Sequence, residues 1–241
     1  MPLLLLALAT FVSTLLGGWF SLKYKDKLHL IMGFSAGIIL GVVSFDIFPE
    51  IIEQVKINDF NPTEIMTALV VGFLLFHILE KTILIHHAHE SDYASHQHPK
   101  VGVLSALALI GHSFMDGLGI GLGFQINPAI GLLVAIAVIS HDFTDGMNTV
   151  ALMLNHRNTA KKTRWFLLFD ALAPILGAAS TLFFALPDRW LVLYLGFFAG
   201  FLLYIGASDI LPEAHRQKSS YQTIALTILG VAFIFFISRL I

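Results

Sequence analysis

"HSFMDG" (residues 112–117) and "HDFTDG" (residues 141–146) stand in two neighbouring apolar runs, 101–124 and 128–154. Each hexapeptide sets an imidazole and a carboxylate four residues apart, near the middle of its run. On a helix, positions i and i+4 share a face and i+1 lies about 100° away. His112, Ser113 and Asp116 therefore fall in one arc, and His141, Asp142 and Asp145 in another. If both runs cross a bilayer, these groups lie near its midplane. A carboxylate there costs roughly 2.5–3.5 kcal/mol on insertion scales. Asp116, Asp142 and Asp145, with Asp170 further along, would cost on the order of 10 kcal/mol, against the 5–15 kcal/mol that holds a typical fold together. No Lys or Arg lies at matching depth. A proton or a cation must offset such charge. Imidazole with carboxylate is the donor mix for Zn²⁺, Fe²⁺ and related ions, and a chain without cysteine offers no soft thiolate for Cu(I).

Working outward, the composition supports the membrane reading. The 241 residues are 56% hydrophobic and 12% charged, with a mean hydropathy of +0.81. That is a polytopic membrane protein rather than a soluble domain with a large core. The net charge of −2 gives no sign of a nucleic-acid partner. The absence of cysteine excludes a disulfide framework and a cysteine nucleophile. "MPLLLLALAT" lacks a basic leader and reads as the first span. Runs of roughly 20 apolar residues are needed to cross the hydrocarbon core. Eight are expected, at about 2–22, 29–52, 63–85, 101–124, 128–154, 164–186, 190–211 and 221–240, with Pro62 and Pro128 at helix starts. The expected fold is an all-α bundle of eight transmembrane helices forming one domain over 1–241, with a His-rich loop at 86–99. Alternate connections hold Lys23, Lys25, Lys27, Lys81, Lys100, Arg157, Lys161, Lys162, Arg164, Arg216 and Lys218, which is 11 of the 14 basic residues. The positive-inside rule then places these connections in the cytoplasm and both termini outside.

Span 2 contains "AGIILGVVSFDIFPE" from Ala36, and span 7 contains "AGFLLYIGASDILPE" from Ala199, 163 residues later. An odd number of spans separates them, so the copies cross in opposite directions. An inverted repeat of spans 1–3 and 6–8 around spans 4–5 is expected, a transporter arrangement with its site near the midplane. Asp46 and Glu50 would then stand towards the outer face, and Asp209, Glu213 and His215 towards the inner face, as entrance and exit groups. Pro174 is expected to kink span 6 and free a carbonyl. Asp170 then serves the metal or satisfies local backbone. Gly119 and Gly123 read as close packing or as a wall beside an ion path, and Gly33, Gly37 and Gly41 as packing. His86, His87, His89, His96 and His98 form a tract that can capture metal weakly or serve only as a polar loop.

On the paired hexapeptides, the two "DIxPE" segments and the His-rich tract, the chain resembles the ZIP (Zrt/Irt-like) family of divalent-metal transporters in its bacterial form. Family members carry His-Asn-x-x-Glu-Gly in span 4 and His-x-x-x-Glu-Gly in span 5. Here both glutamates are aspartates, Ser113 replaces the asparagine, and Ala173 stands where some bacterial members place an acid. The resemblance implies that His112, Asp116, His141 and Asp145 bind the transported ion, with Asp142 and Ser113 at a neighbouring second site. It implies divalent-metal uptake into the cytoplasm; the donor mix puts zinc first, with iron, manganese and cadmium as the other candidates. It also implies an elevator in which spans 1, 4, 5 and 6 move against spans 2, 3, 7 and 8, and a homodimer in the lipid of a bacterial inner membrane. The divalent ion is substrate, and no enzyme activity is expected. The alternatives are a cation-diffusion exporter, which also uses His-x-x-x-Asp pairs, and an intramembrane zinc-dependent lipid hydrolase.

Overall fold

The computed structural model describes residues 2–21, 28–88, 99–216 and 220–240, apart from the side chains at 28, 80, 83–88, 101, 155 and 216. Every regular element among them is helical. Helix α1 spans Pro2–Ser21. Helix α2 runs over Leu28–Val42, through a wider π-helical turn at Val43–Ile47, into Phe48–Asn58. Helices α3, α4 and α5 are Pro62–Ala88, Pro99–Ile126 and Pro128–Asn155. Helix α6 is Ala160–Ser180, closing in a 3-10 turn at Thr181–Phe183. Helix α7 runs over Asp188–Leu203, a π-helical turn at Tyr204–Ile210 and Leu211–Arg216. Helix α8 is Tyr221–Ile237. Seven of the eight are long and apolar enough to cross a membrane. With 17 residues, α8 reaches about 25 Å, the short end of the range for a bilayer core.

Local chemistry fixes the helix ends. Pro62 and Pro128 stand at first helical positions, as expected, because the N–H that proline lacks would be unpaired there anyway. Asn127 caps α5 by accepting the Ile130 N–H at 2.8 Å, and Thr159 caps α6 through the Lys162 N–H at 3.3 Å. That cap starts α6 at Ala160, ahead of the expected 164. Helix α2 continues past 52 to Asn58, where Asp59 takes a left-handed conformation (φ 52°) and ends it. In its last turns Gln54 donates to Glu50 at 2.9 Å and Asn58 donates to Gln54 at 3.0 Å.

Both "DIxPE" segments share one local distortion. Proline lacks the N–H for a helical bond, and its ring crowds the carbonyl four residues back. Immediately before each proline the helix widens, and the residue at that point donates to the carbonyl five back: Phe48 to Val43, and Leu211 to Gly206.

The helices associate in two sets. Helices α1, α4, α5 and α6 pack mainly on one another, and so do α2, α3, α7 and α8. Paired glycines make the tight crossings. A Cβ at Gly17 or Gly146 would overlap the partner backbone between α1 and α5, and one at Gly177 or Gly117 would do the same between α6 and α4. In the other set, Gly37 and Gly230 join α2 to α8, and Gly200 and Gly72 join α7 to α3. The crossings recur in matching register. Gly17 on Phe143 answers to Gly177 on Phe114, and Gly37 on Thr227 to Gly200 on Leu69. Small residues let backbones touch where the hydrophobic effect gives helices no reason to associate. Between the sets lies an apolar core that includes Ile39, Val42, Val138, Phe198, Phe201 and Leu202.

Candidate metal site

Helices α4 and α5 lie antiparallel, joined by the short Asn127 turn. Their hexapeptides face one another at mid-span. One donor atom each from His112, Asp116, His141 and Asp145 lies within 4.8 Å of all the others. His112 Nε2 stands 3.2 Å from Asp116 Oδ2 and 3.4 Å from Asp145 Oδ2. His141 Nε2 stands 3.4 Å and 3.9 Å from the same two oxygens. Two ligands on a tetrahedral ion with bonds of about 2.0–2.1 Å stand about 3.3–3.4 Å apart. The His–Asp edges bracket that separation. The i,i+4 pattern on each helix produces this arrangement, each span supplying half of the donors.

The donors are aimed as a cation requires. His141 Nδ1 lies 2.8 Å from the Ala137 carbonyl. A carbonyl oxygen only accepts, so Nδ1 carries the hydrogen and donates, leaving the Nε2 lone pair for the carboxylate side. Asp116 and His141 are fully buried, and Asp145 nearly so. His112 Nε2, Asp116 Oδ1 and Asp145 Oδ2 are buried without a hydrogen-bond partner. Unpaired polar atoms in a low-dielectric interior are costly, and a positive ion in the cage would satisfy the two that face it, His112 Nε2 and Asp145 Oδ2. The His112 ring is 13% exposed and packs edge-on against Phe201 at 4.9 Å and Phe76 at 6.1 Å. Those aromatics come from α7 and α3, so the site lies where the two helix sets meet.

The remaining expected residues separate into distinct places. Ser113 and Asp170 lie beside the cage: Ser113 Oγ donates to Asp170 Oδ1 and Thr149 Oγ1 to Asp170 Oδ2, both at 2.8 Å. Asp170 therefore binds hydroxyls from both motif helices rather than the backbone near Pro174, and α6 remains helical through that proline. Asp142 is fully buried with neither oxygen hydrogen-bonded, and it is not one of the four residues whose donor atoms converge. Asp46 is buried and accepts from Ser238 Oγ at 2.9 Å. Glu50 is half-buried and bonded to Gln54, Asp209 is exposed, and Glu213 and His215 are half-buried. His89, His96 and His98 lie outside the described residues. His86 and His87 belong to the last turn of α3, and their side chains lie outside the described set. The glycines read as packing do pack: Gly33, Gly37 and Gly41 lie against α8, Gly119 against Phe198 and Gly123 against Gly131.

Sequence reasoning missed Thr149, although it lies one turn beyond Asp145 on the same face and that spacing could have found it. It also missed Phe76 and Phe201, which no local pattern distinguishes from other span aromatics.

The family model of the ZIP zinc transporters matches residues 85–238, well over half of the chain, from the last turn of α3 through α8. No curated protein matches the chain.

Proposed function

The chain belongs to the ZIP zinc transporter family, and from that premise we propose that it carries zinc into the cytoplasm through the His112–Asp116–His141–Asp145 cage. It is an integral membrane protein and a divalent-metal transporter. Family members are transporters, not enzymes, so the lipid-hydrolase alternative falls. The observation that carries the zinc reading is the cage itself, with two imidazole nitrogens and two carboxylate oxygens alternating at 3.2–3.9 Å. That spacing suits a four-coordinate first-row ion; Ca²⁺, with six to eight oxygens at about 2.3–2.6 Å, needs more donors.

In this proposal α1, α4, α5 and α6 carry the site as one body against α2, α3, α7 and α8. The recurring glycine seats and the paired π-helical turns support an inverted repeat of α1–α3 and α6–α8 around α4–α5. The distribution of basic residues supports a chain with both termini outside, and the family resemblance supports a homodimer in a bacterial inner membrane. Asp46 and Glu50 serve the outer approach; Asp209, Glu213 and His215 serve the inner one. Asp142, with the Ser113–Asp170 pair, stands as a neighbouring acidic reserve.

Uptake into proteoliposomes across Zn²⁺, Fe²⁺, Mn²⁺, Cd²⁺ and Co²⁺, with bound metal measured on the same preparation, tests the reading. Zinc should enter saturably, with the other first-row ions competing. No metal-dependent flux, or flux only outward from right-side-out vesicles, would overturn it. The histidine tract is proposed to capture metal released at the inner face. Replacing His86, His87, His89, His96 and His98 together should change the uptake rate without abolishing it, because a tract of this kind supplies no preorganised cage. Complete loss in an inserted protein contradicts that role.

A further inference from the structure

The turn between α5 and α6 and the first turns of α6 carry Arg157, Lys161, Lys162 and Arg164, and no Asp or Glu stands between Asp145 and Asp170. The other three connections assigned to the same face each contain acid: Asp26, then Glu90 and Asp92, then Glu213. The basic corner is fixed in shape. Asn158 Nδ2 donates to the Pro99 carbonyl at 3.0 Å and to the Met153 carbonyl at 3.2 Å, and the Thr159 cap starts α6 directly beyond it. Lys161, Trp165, Phe169 and Leu176 then fall within an arc of about 80° on α6, and all four are exposed. Arg164 and Lys162, also exposed, flank this stripe on its two sides.

Two tryptophans give the depth of this surface. A Cβ on Gly18 of α1 would strike Leu167 of α6. Helix α1 runs towards this end of the bundle and α6 away from it, so Trp19 and Trp165 stand at nearly one level. They are 58% and 53% exposed, as tryptophans at the headgroup level of a bilayer are. Lys161 lies one turn, about 6 Å, to the water side of Trp165, and Phe169 and Leu176 lie to the hydrocarbon side. In the orientation proposed above, this end faces the cytoplasm. We propose that this face of α6 docks an anionic phospholipid of the inner leaflet. Its headgroup meets Lys161, Lys162 and Arg164, and its acyl chains lie along Trp165, Phe169 and Leu176. Charge selects this occupant. A zwitterionic lipid would cover the stripe and leave the cations unmatched. A second copy across a two-fold axis would set basic corner against basic corner. A soluble acidic partner would meet the cations but not the apolar stripe, which continues about 16 Å below Trp165.

The chain has three tryptophans, Trp19, Trp165 and Trp190, so Trp19→Phe with Trp190→Phe leaves Trp165 as the single fluorophore. In phosphatidylcholine vesicles, phosphatidylglycerol with brominated acyl chains should quench Trp165 far more than brominated phosphatidylcholine at the same mole fraction. Lys161→Gln, Lys162→Gln and Arg164→Gln should each weaken that preference about fivefold, the attraction of one basic residue to anionic lipid. The three together should abolish it, while quenching by brominated phosphatidylcholine persists and shows that α6 still faces lipid. Trp190 as the single reporter, at the opposite end of the bundle where Arg189 is paired with Glu64 at 2.8 Å, should show no preference. Equal quenching of Trp165 by the two lipids, or the same preference at Trp190, would overturn the proposal. Trp165 shielded from both brominated lipids would mean that a second copy covers the face, and displacement of phosphatidylglycerol by soluble polyglutamate would give the face to an acidic protein; either result overturns it. Metal flux enters none of these readouts. A protein that prefers phosphatidylglycerol at Trp165 yet moves no metal would sink the transporter reading and leave the lipid site standing.

Discussion

His141→Ala and Asp145→Ala should each abolish nearly all metal uptake while the protein still inserts and accumulates. Each removes one of four donors from a cage that has no fifth His or carboxylate ligand among the described residues. Loss of an outer-shell partner alone typically costs 10–100-fold in metal affinity, so loss of a direct ligand should cost at least that. Insertion should survive, because removing a buried carboxylate relieves a cost of roughly 2.5–3.5 kcal/mol rather than adding one. Ser113→Ala should be far milder. Its hydroxyl holds Asp170 at 2.8 Å, but Thr149 holds the other oxygen at the same distance. Uptake at matched protein level, with bound zinc measured on the purified variants, checks all three. Wild-type rates in His141→Ala would remove the cage from the mechanism. A loss in Ser113→Ala as deep as in Asp145→Ala would make the Asp170 cluster part of the ion path.

What the chain discloses before folding follows the range of each signal. Hydropathy and the i,i+4 rule are local, so the spans and the His112–Asp116 and His141–Asp145 pairs were legible. Charge cost argued that the pairs should meet, since neither half offsets its own carboxylate. The role of Asp170 was not legible, because Pro174 suggested a backbone partner and the true donors come from α4 and α5. The π-helical turns were hidden although their prolines were visible: Pro49 and Pro212 announce a disturbance, but its form depends on which carbonyl the preceding residue reaches. The Ser35 hydroxyl is hidden for the same reason. A serine in an apolar span most often bonds to its own helix, as Thr14 does to the Thr10 carbonyl at 3.0 Å, and only the packed bundle redirects this one to the Ser140 carbonyl of α5.

Glycine to alanine should have opposite effects at two positions of α4. In an isolated helix the change stabilises by about 0.8–1.0 kcal/mol. At Gly111 a Cβ meets nothing within 4 Å, so Gly111→Ala should leave thermal stability unchanged or raise it. At Gly117 the same atom would overlap the Pro174 carbonyl of α6. Backbone of a neighbouring helix cannot rotate away as a side chain can, so the helices must part. Overpacking of this kind costs about 1–3 kcal/mol, enough to outweigh the propensity gain. Gly146→Ala, which would strike the Thr14 carbonyl of α1, should behave like Gly117→Ala, since the two seats hold α5 and α4 against the outer helices of one body. Because these crossings fix how His141 and His112 approach each other, both variants should also bind zinc more weakly, with every ligand still present. Thermal unfolding in detergent, with zinc content measured beside it, separates the cases. Equal stability for Gly111→Ala and Gly117→Ala would mean that the close backbone approach does not hold the cage together, and that the glycine seats are tolerated gaps rather than the joints of the helix set that carries it.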